Sequence, residues 1–269
     1  DMYTAHSSLH LIDKTITVSH DSNGSKTISF SATFSGSGGW SPGTLNTGSQ
    51  SLRLSDIPRS SSATVSGNMM GQAVSITIKR ASSDFTHNMT WYFGSLSGTI
   101  GTGIATSVTW TPSISQLATQ IPNSTSGNGH LTLVTIYGGK TVGSMTIPIS
   151  LNLPTSVVPT LDSISVSESH ATAKTILTGN SFAQLVSNPK VTFNQGAGIY
   201  GSIIPSTGYR AEVFRFENNQ WVQLPNVATS NDGLLGGINW TGRAKVSAYV
   251  TDSRGRQSAR NEVEITLLE

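Results

Sequence analysis

Carboxylates, histidines and aromatic rings are the side chains here with chemistry to offer, and their spacing decides what each could do. Glycoside hydrolysis by its usual route needs two carboxyl groups roughly 5–9.5 Å apart, one acid and one nucleophile or base. The stretch 61–153 holds a single one, Asp84, so it cannot supply the pair alone. The stretch 154–269 holds nine, but most sit beside basic residues in strand-like sequence. Glu212 and Glu217, with Arg210 and Arg215, read as solvated ion pairs on a sheet surface. Six histidines are scattered at 6, 10, 20, 87, 130 and 170. His6 and His10 would share a face if both lie in one strand, giving two legs of a metal site. Pairs at this spacing arise by chance, and no metal is expected. Asp21-Ser22-Asn23-Gly24 opens like a calcium loop but lacks the later glutamate, and a type I′ turn explains it better. There is no Gly-x-Ser-x-Gly elbow, no phosphate loop and no cysteine. Hydroxyl-nucleophile, nucleotide and thiolate chemistry therefore lack their motifs. No catalytic residue and no cofactor is expected, and the chain reads as a non-enzyme.

The aromatics remain. Trp40 lies in the loop Gly38-Gly39-Trp40-Ser41-Pro42-Gly43, where a buried residue is less expected. Trp91-Tyr92-Phe93 puts neighbouring rings on opposite faces of a strand, so at least one can be exposed. An exposed ring among Asn, Gln and Ser is how a shallow sugar site is built, with the ring against the apolar sugar face and amides on the hydroxyls. Trp40, Trp91 and Tyr92 are therefore the candidate glycan contacts. Trp110 and Trp221 are expected to fill cores.

The elements that must position these rings follow from composition and alternation. Ser and Thr supply 75 of the 269 residues, and charged residues only 11% against about 25% in an average soluble protein. A net charge of +2 leaves no long-range field for nucleic acid or an anionic membrane. No apolar run approaches the roughly 20 residues of a spanning helix. Period-two alternation dominates: from Leu9 to Val18, from Lys26 to Phe34 across Asn23-Gly24, and from Gln50 to Ile57. It returns at 75–80, 87–93, 107–111, 130–137 and 141–151, with Gly138-Gly139 turning the last pair. Further strands are expected near 161–168, 189–194, 208–217, 220–224, 243–251 and 261–268, with Asn218-Asn219 as a turn. Helical spacing at Ile114, Leu117, Ala118 and Ile121 predicts one short helix over 112–121, with Ser113 as N-cap. Ser181 to Leu185 reads as another. The fold class is all-β: tandem immunoglobulin-like β-sandwich modules, elongated, with at most short helices.

Arg59-Ser60-Ser61-Ser62-Ala63 reads as a linker, and Leu153-Pro154 to Pro159 as a second one kept extended by its prolines. They divide the chain into 1–60, 61–153 and 154–269. The first is short for an independent sandwich and reads as part of a truncated one, the chain being a piece of a longer protein. The second is charge-poor, with only Lys79, Arg80, Asp84 and Lys140, while the third carries nine basic and nine acidic residues. A surface of Ser, Thr, Asn, Gln and Gly suits wet, polar contacts with sugars or with further copies of itself.

Two stretches carry a family resemblance. One runs from His20-Asp21-Ser22-Asn23-Gly24 through Gly39-Trp40-Ser41-Pro42-Gly43 to Ile57-Pro58-Arg59. The other is Val246-Ser247-Ala248-Tyr249-Val250-Thr251-Asp252-Ser253-Arg254-Gly255-Arg256. Both resemble tail-tip or baseplate proteins of siphophages infecting streptococci and related Gram-positive bacteria. Phe182-Ala183-Gln184 and Tyr200-Gly201-Ser202-Ile203-Ile204 are similar to a strand-turn pattern of the same family, and 61–153 hardly takes part. The resemblance implies a place on the virion tail, other tail proteins as partners, a possible homo-oligomer, and a part in adhesion to the host wall. Its motifs are structural punctuation, and Asp252 to Arg256 reads as a turn with basic decoration. The expected function is non-enzymatic binding of host cell-wall polysaccharide. A structural spacer without a receptor site is the alternative, and a wall glycan hydrolase comes behind both.

Overall fold

Alternation of β-branched and small polar residues builds strands almost throughout the computed structural model, which describes residues 17–21, 24–35 and 44–269. Two strands, β1 (Lys26–Ser35) and β2 (Thr44–Leu54), pair antiparallel with each other. The hairpin expected across Asn23-Gly24 is not seen: residues 17–21 are not strand, and 9–16 lie outside the described residues.

Seven strands follow: β3 (Ser62–Ser66), β4 (Val74–Lys79), β5 (Thr86–Phe93), β6 (Leu96–Ile104), β7 (Ser107–Trp110), β8 (Ser126–Tyr137) and β9 (Lys140–Asn152). They form a sheet β3-β4-β7 and a sheet β6-β5-β8-β9, closed over one core. Val74, Ile76 and Ile78 of the first meet Met89, Trp91, Phe93, Leu131 and Leu133 of the second. Between β7 and β8, Ser113 Oγ accepts from the Gln116 N–H and starts the expected helix, α1 (Ile114–Leu117), which runs on as a 3₁₀ turn to Gln120. Gly138 and Gly139, both at positive φ, make the tight β8–β9 turn.

The plan then repeats. The strands β10 (Ser163–Glu168), β11 (Ser181–Ala183), β12 (Pro189–Asn194), β13 (Tyr209–Glu217), β14 (Gln220–Ala228), β15 (Gly233–Leu234), β16 (Gly242–Val250) and β17 (Asn261–Leu268) make sheets β10-β12-β15 and β11-β17-β16-β13-β14. Apart from β11, added parallel to β17, the strand order matches the first sandwich one for one. Three strands A-B-E face four strands C′-C-F-G, so both are immunoglobulin-like sandwiches. Ser181 to Leu185 is thus a strand and a turn rather than a helix, because Phe182 fills the core while the backbone of 181–183 pairs with β17. A single helical turn, α2 (Ala173–Ile176), went unpredicted.

The stretch read as the first linker is structured. Ser61 is buried, and Ser62 already begins β3. His87, fully buried, has Nδ1 at 2.8 Å from the Ile104 carbonyl and Nε2 at 2.7 Å from Ser61 Oγ. A carbonyl only accepts, so in the neutral ring Nδ1 carries the proton and Nε2 accepts from the serine. The Ser61 N–H donates to Thr135 Oγ1, closing the network.

The second linker is clamped. In the β16–β17 loop, Asp252 Oδ1 accepts the N–H groups of Arg254 and Arg256, and Gly255 at positive φ closes the turn. Arg254 then donates to four carbonyls: Ala118 and Ile121 beyond α1, and Ile199 and Tyr200 of the β12–β13 loop, at 2.7–3.0 Å. Arg256 donates to Leu153, Pro154 and Val157 of the linker. Burial pulls the Arg254 guanidinium below its ordinary range and the charge of Asp252 opposes this, but an arginine stays protonated. The basic decoration read from the sequence is the joint between two sandwiches.

Ser61→Ala leaves His87 Nε2 buried without a donor, and chemical denaturation is expected to show a loss of about 1–3 kcal/mol. Arg254→Lys keeps the charge but not the fork. It is expected to cost at least the about 1.5–3 kcal/mol of one charge-assisted bond, and to raise amide exchange at residues 199–203.

Candidate functional site

Strand pairing, read across the β6-β5-β8-β9 sheet, sets its outer face in rows. One row is Thr99, Thr90, Thr132 and Thr146, each directly opposite the next. Beside it runs Ser97, Tyr92, His130 and Pro148. Asn128 with Ser150 continues on one side, and Asn88, Val134 and Ser144 on the other. At about 4.8 Å between strands, each four-residue row spans about 14 Å. The four strands carry one formal charge, Lys140, at the tip of the β8–β9 hairpin.

Tyr92 is 38% exposed and stacks on His130 with centroids 4.7 Å apart and planes 13° from parallel. His130 covers one side of the ring, while on the other the cross-strand neighbour is Ser97, too short to cover it. Among the described residues, no hydrogen bond within the chain uses the four threonine hydroxyls, the Tyr92 phenol or the His130 ring nitrogens. The face therefore presents an aromatic edge and a line of hydroxyls, each able to donate and accept, with no charge to organise a counter-ion. That arrangement can bind a flat polyhydroxylated chain. It holds no acid–base pair, since Asp84 lies in the β4–β5 turn.

Of the rings picked from the sequence, Tyr92 belongs here. Trp91 is 8% exposed and stacks on Trp110 inside the core at 5.8 Å, so it is not a glycan contact. Its indole lies over Gly98 of β6, where a Cβ would come within 2.6 Å of Nε1. Trp40 lies outside the described residues, as do His6 and His10. His130 and the threonine row were not picked out. They are joined only by strand register, although alternation outward from buried Leu131 and Leu133 places His130 and Thr132 on the exposed side.

The matching face of the second sandwich is differently made. Trp221, expected in a core, is half-buried on the outside, with Lys245 at 4.4 Å and Arg243 at 5.3 Å from its ring. Arg243 also covers Phe216, and pairs with Glu264, whose carboxyl it holds below the usual range by hydrogen bonding. Glu212, read as a solvated partner, is buried and accepts from Arg260 and Gln223. Rings and charges there satisfy one another.

An all-β chain of two immunoglobulin-like sandwiches, locked end to end and carrying one neutral, hydroxyl-rich sheet face, is the class these features define. Its whole length, residues 1–269, matches the model of a siphovirus protein family of unknown function, DUF859, and the chain belongs to that family. No curated protein is similar to it in sequence. Among solved structures, a two-domain fibronectin type III segment of chicken tenascin is 13% identical, covering 76% of this chain and 97% of that one, with a TM-score of 0.31. The fibronectin(III)-like modules of Clostridium thermocellum CbhA are 10% identical, covering 77% and 94%, with a TM-score of 0.26. The chicken interferon gamma receptor alpha chain is 12% identical, covering 79% and 98%, with a TM-score of 0.29. At these scores the likenesses carry no weight beyond what the sheets themselves show. No helix among the described residues is long and apolar enough to cross a membrane.

Trp91→Ala is expected to remove core packing worth about 3–5 kcal/mol, while Tyr92→Ala on the same strand leaves stability within about 1 kcal/mol. Urea denaturation of the two variants checks this, and equal losses would put both rings in the core.

Proposed function

We propose that this siphovirus protein is a non-enzymatic adhesion component of the phage tail tip, held there by other tail proteins. It binds neutral polysaccharide of the host cell wall through the outer face of the β6-β5-β8-β9 sheet. The observation that carries this reading is the threonine row beside the Tyr92–His130 stack, on a four-stranded sheet with a single charge at its tip. Each contact is weak, and several copies on one virion would raise the overall affinity by avidity. The units folding around 61–153 and 154–269 would act as two modules held in one orientation, behind a preceding segment, 1–60, that joins them to the rest of the tail.

A second reading has its own support. A joint closed by seven arginine bonds to carbonyls suits a stiff spacer whose receptor site lies elsewhere.

Fluorescently labelled protein, clustered on beads to restore avidity, separates the two. Binding to host cells should fall at least tenfold after wall polysaccharide is stripped chemically. It should fall similarly for Tyr92→Ala combined with Thr90→Val and Thr132→Val, with circular dichroism unchanged. Folded protein that binds no intact cells supports the spacer. Sugar release from purified walls would instead expose a hydrolase.

A further inference from the structure

We infer that a cleft at the other end of the first sandwich, away from the arginine joint, is a binding site for a single neutral sugar ring. The cleft has a volume of about 210 Å³ and lies where the chain after β2 crosses the β4–β5 loop and the β8–β9 hairpin. Asp56, Arg59, Ser82, Phe85 and Tyr137 line it. It is smaller than the about 300–1,000 Å³ of clefts that hold drug-sized ligands, and it has room for one ring rather than a chain.

Its chemistry selects the ligand class. Phe85 is buried and meets Tyr137 edge-on at 5.6 Å, steadying a tyrosine that is itself 42% exposed. Neither Asp56 nor Arg59 is in any ion pair among the described residues, although both line the same small space. Arg59 Nη1 donates to the Ile57 carbonyl at 3.5 Å, which leaves its other N–H groups free of any ion pair; with the Asp56 carboxylate beside an aromatic ring, they match vicinal hydroxyls that donate to one and accept from the other. An anion would meet Asp56 as well as Arg59, so a phosphate is the poorer fit.

The cleft is also built. Arg59 is laid against Gly24, whose positive φ shapes the turn from Asp21 and whose carbonyl accepts the Ile57 N–H. A Cβ at Gly24 would come within 1.9 Å of Arg59 Nη1, so an alanine there would push the guanidinium from this seat. The corresponding loops of the second sandwich, β12–β13 and β16–β17, instead make the joint. In antibody variable domains the same end of the fold carries the ligand loops, which is an analogy of position only. Tyr137 lies five residues along β8 from Thr132 and seven from His130, about 17 Å and about 23 Å at the strand rise, so this site stands or falls apart from that face.

The test is a ¹⁵N NMR titration of the intact chain with methyl β-D-glucoside, methyl β-D-galactoside, N-acetyl-D-glucosamine and L-rhamnose, and separately with inorganic phosphate. At least one sugar should give saturable shifts at Ser82, Phe85 and Tyr137. Tyr137→Ala and Arg59→Ala should weaken it at least tenfold, and Tyr92→Ala should leave it unchanged. Gly24→Ala, which removes no lining side chain, should weaken it by displacing Arg59. The proposal is overturned if no sugar shifts these residues at concentrations up to about 50 mM, well above the millimolar constants of weak sites. It is equally overturned if phosphate alone does so, or if sugar shifts appear only around Tyr92 and His130.

Discussion

The rest of the molecule hangs on a guanidinium held by carbonyls. Arg254 is buried, and bringing a charge out of water costs several kcal/mol unless nearly every N–H finds a partner. Its four partners come from the end of the 3₁₀ turn and from the β12–β13 loop, where the Ala118, Ile121 and Ile199 carbonyls already accept a backbone N–H and take the guanidinium as a further donor. Neither sandwich could satisfy this arginine alone. Asp252 sets the geometry as well as offsetting part of the buried charge: it bonds the backbone of residues 254 and 256, so both side chains leave the turn toward the other sandwich. Tyr200, at positive φ, packs against the first core from the second sandwich and completes the contact.

The two sandwiches share one topology but divide the work by charge. In the second, arginine, lysine and glutamate lie over phenylalanine and tryptophan, and ladders such as Lys245–Glu262 tie β16 to β17. Exposed pairs of this kind add little stability, yet they cover rings that would otherwise form an apolar patch. The first sandwich does without them. With so few charges, its outer sheet keeps its solubility through threonine, serine and asparagine, and those hydroxyls remain open to a partner.

Most strands were legible because alternation with period two survives a sequence rich in serine and threonine. Val74, Ile76 and Ile78 could hardly be anything else, and Gly138-Gly139 and Asn218-Asn219 announced their turns through the need for positive φ. β6 escaped notice because Leu96 to Ile104 contains three glycines, and its pairing depends on Trp91 covering Gly98 from the neighbouring strand. The same fact misplaced Trp91: one strand shows that Trp91 and Tyr92 face opposite ways, but not which way is in. Met89 and Phe93 on the tryptophan side held that answer. Arg254 was legible as a turn residue only, since its partners lie more than 50 and more than 130 residues away in sequence. The threonine row was hidden for a related reason, because it exists only across four strands in register.

A fixed joint and a neutral face bear on each other through entropy. A flexible two-module chain would lose orientational freedom each time a weak sugar contact formed, and that loss would be repeated in every copy. With the linker carbonyls of Leu153, Pro154 and Val157 held by Arg256, the freedom is surrendered once, at folding. A row of threonines contributes little per hydroxyl, so it can serve adhesion only if the face is presented in one orientation at high local density. A stiff joint and a weak-binding surface therefore need not be rival descriptions of the molecule, since a shallow, uncharged face gains most from being held still.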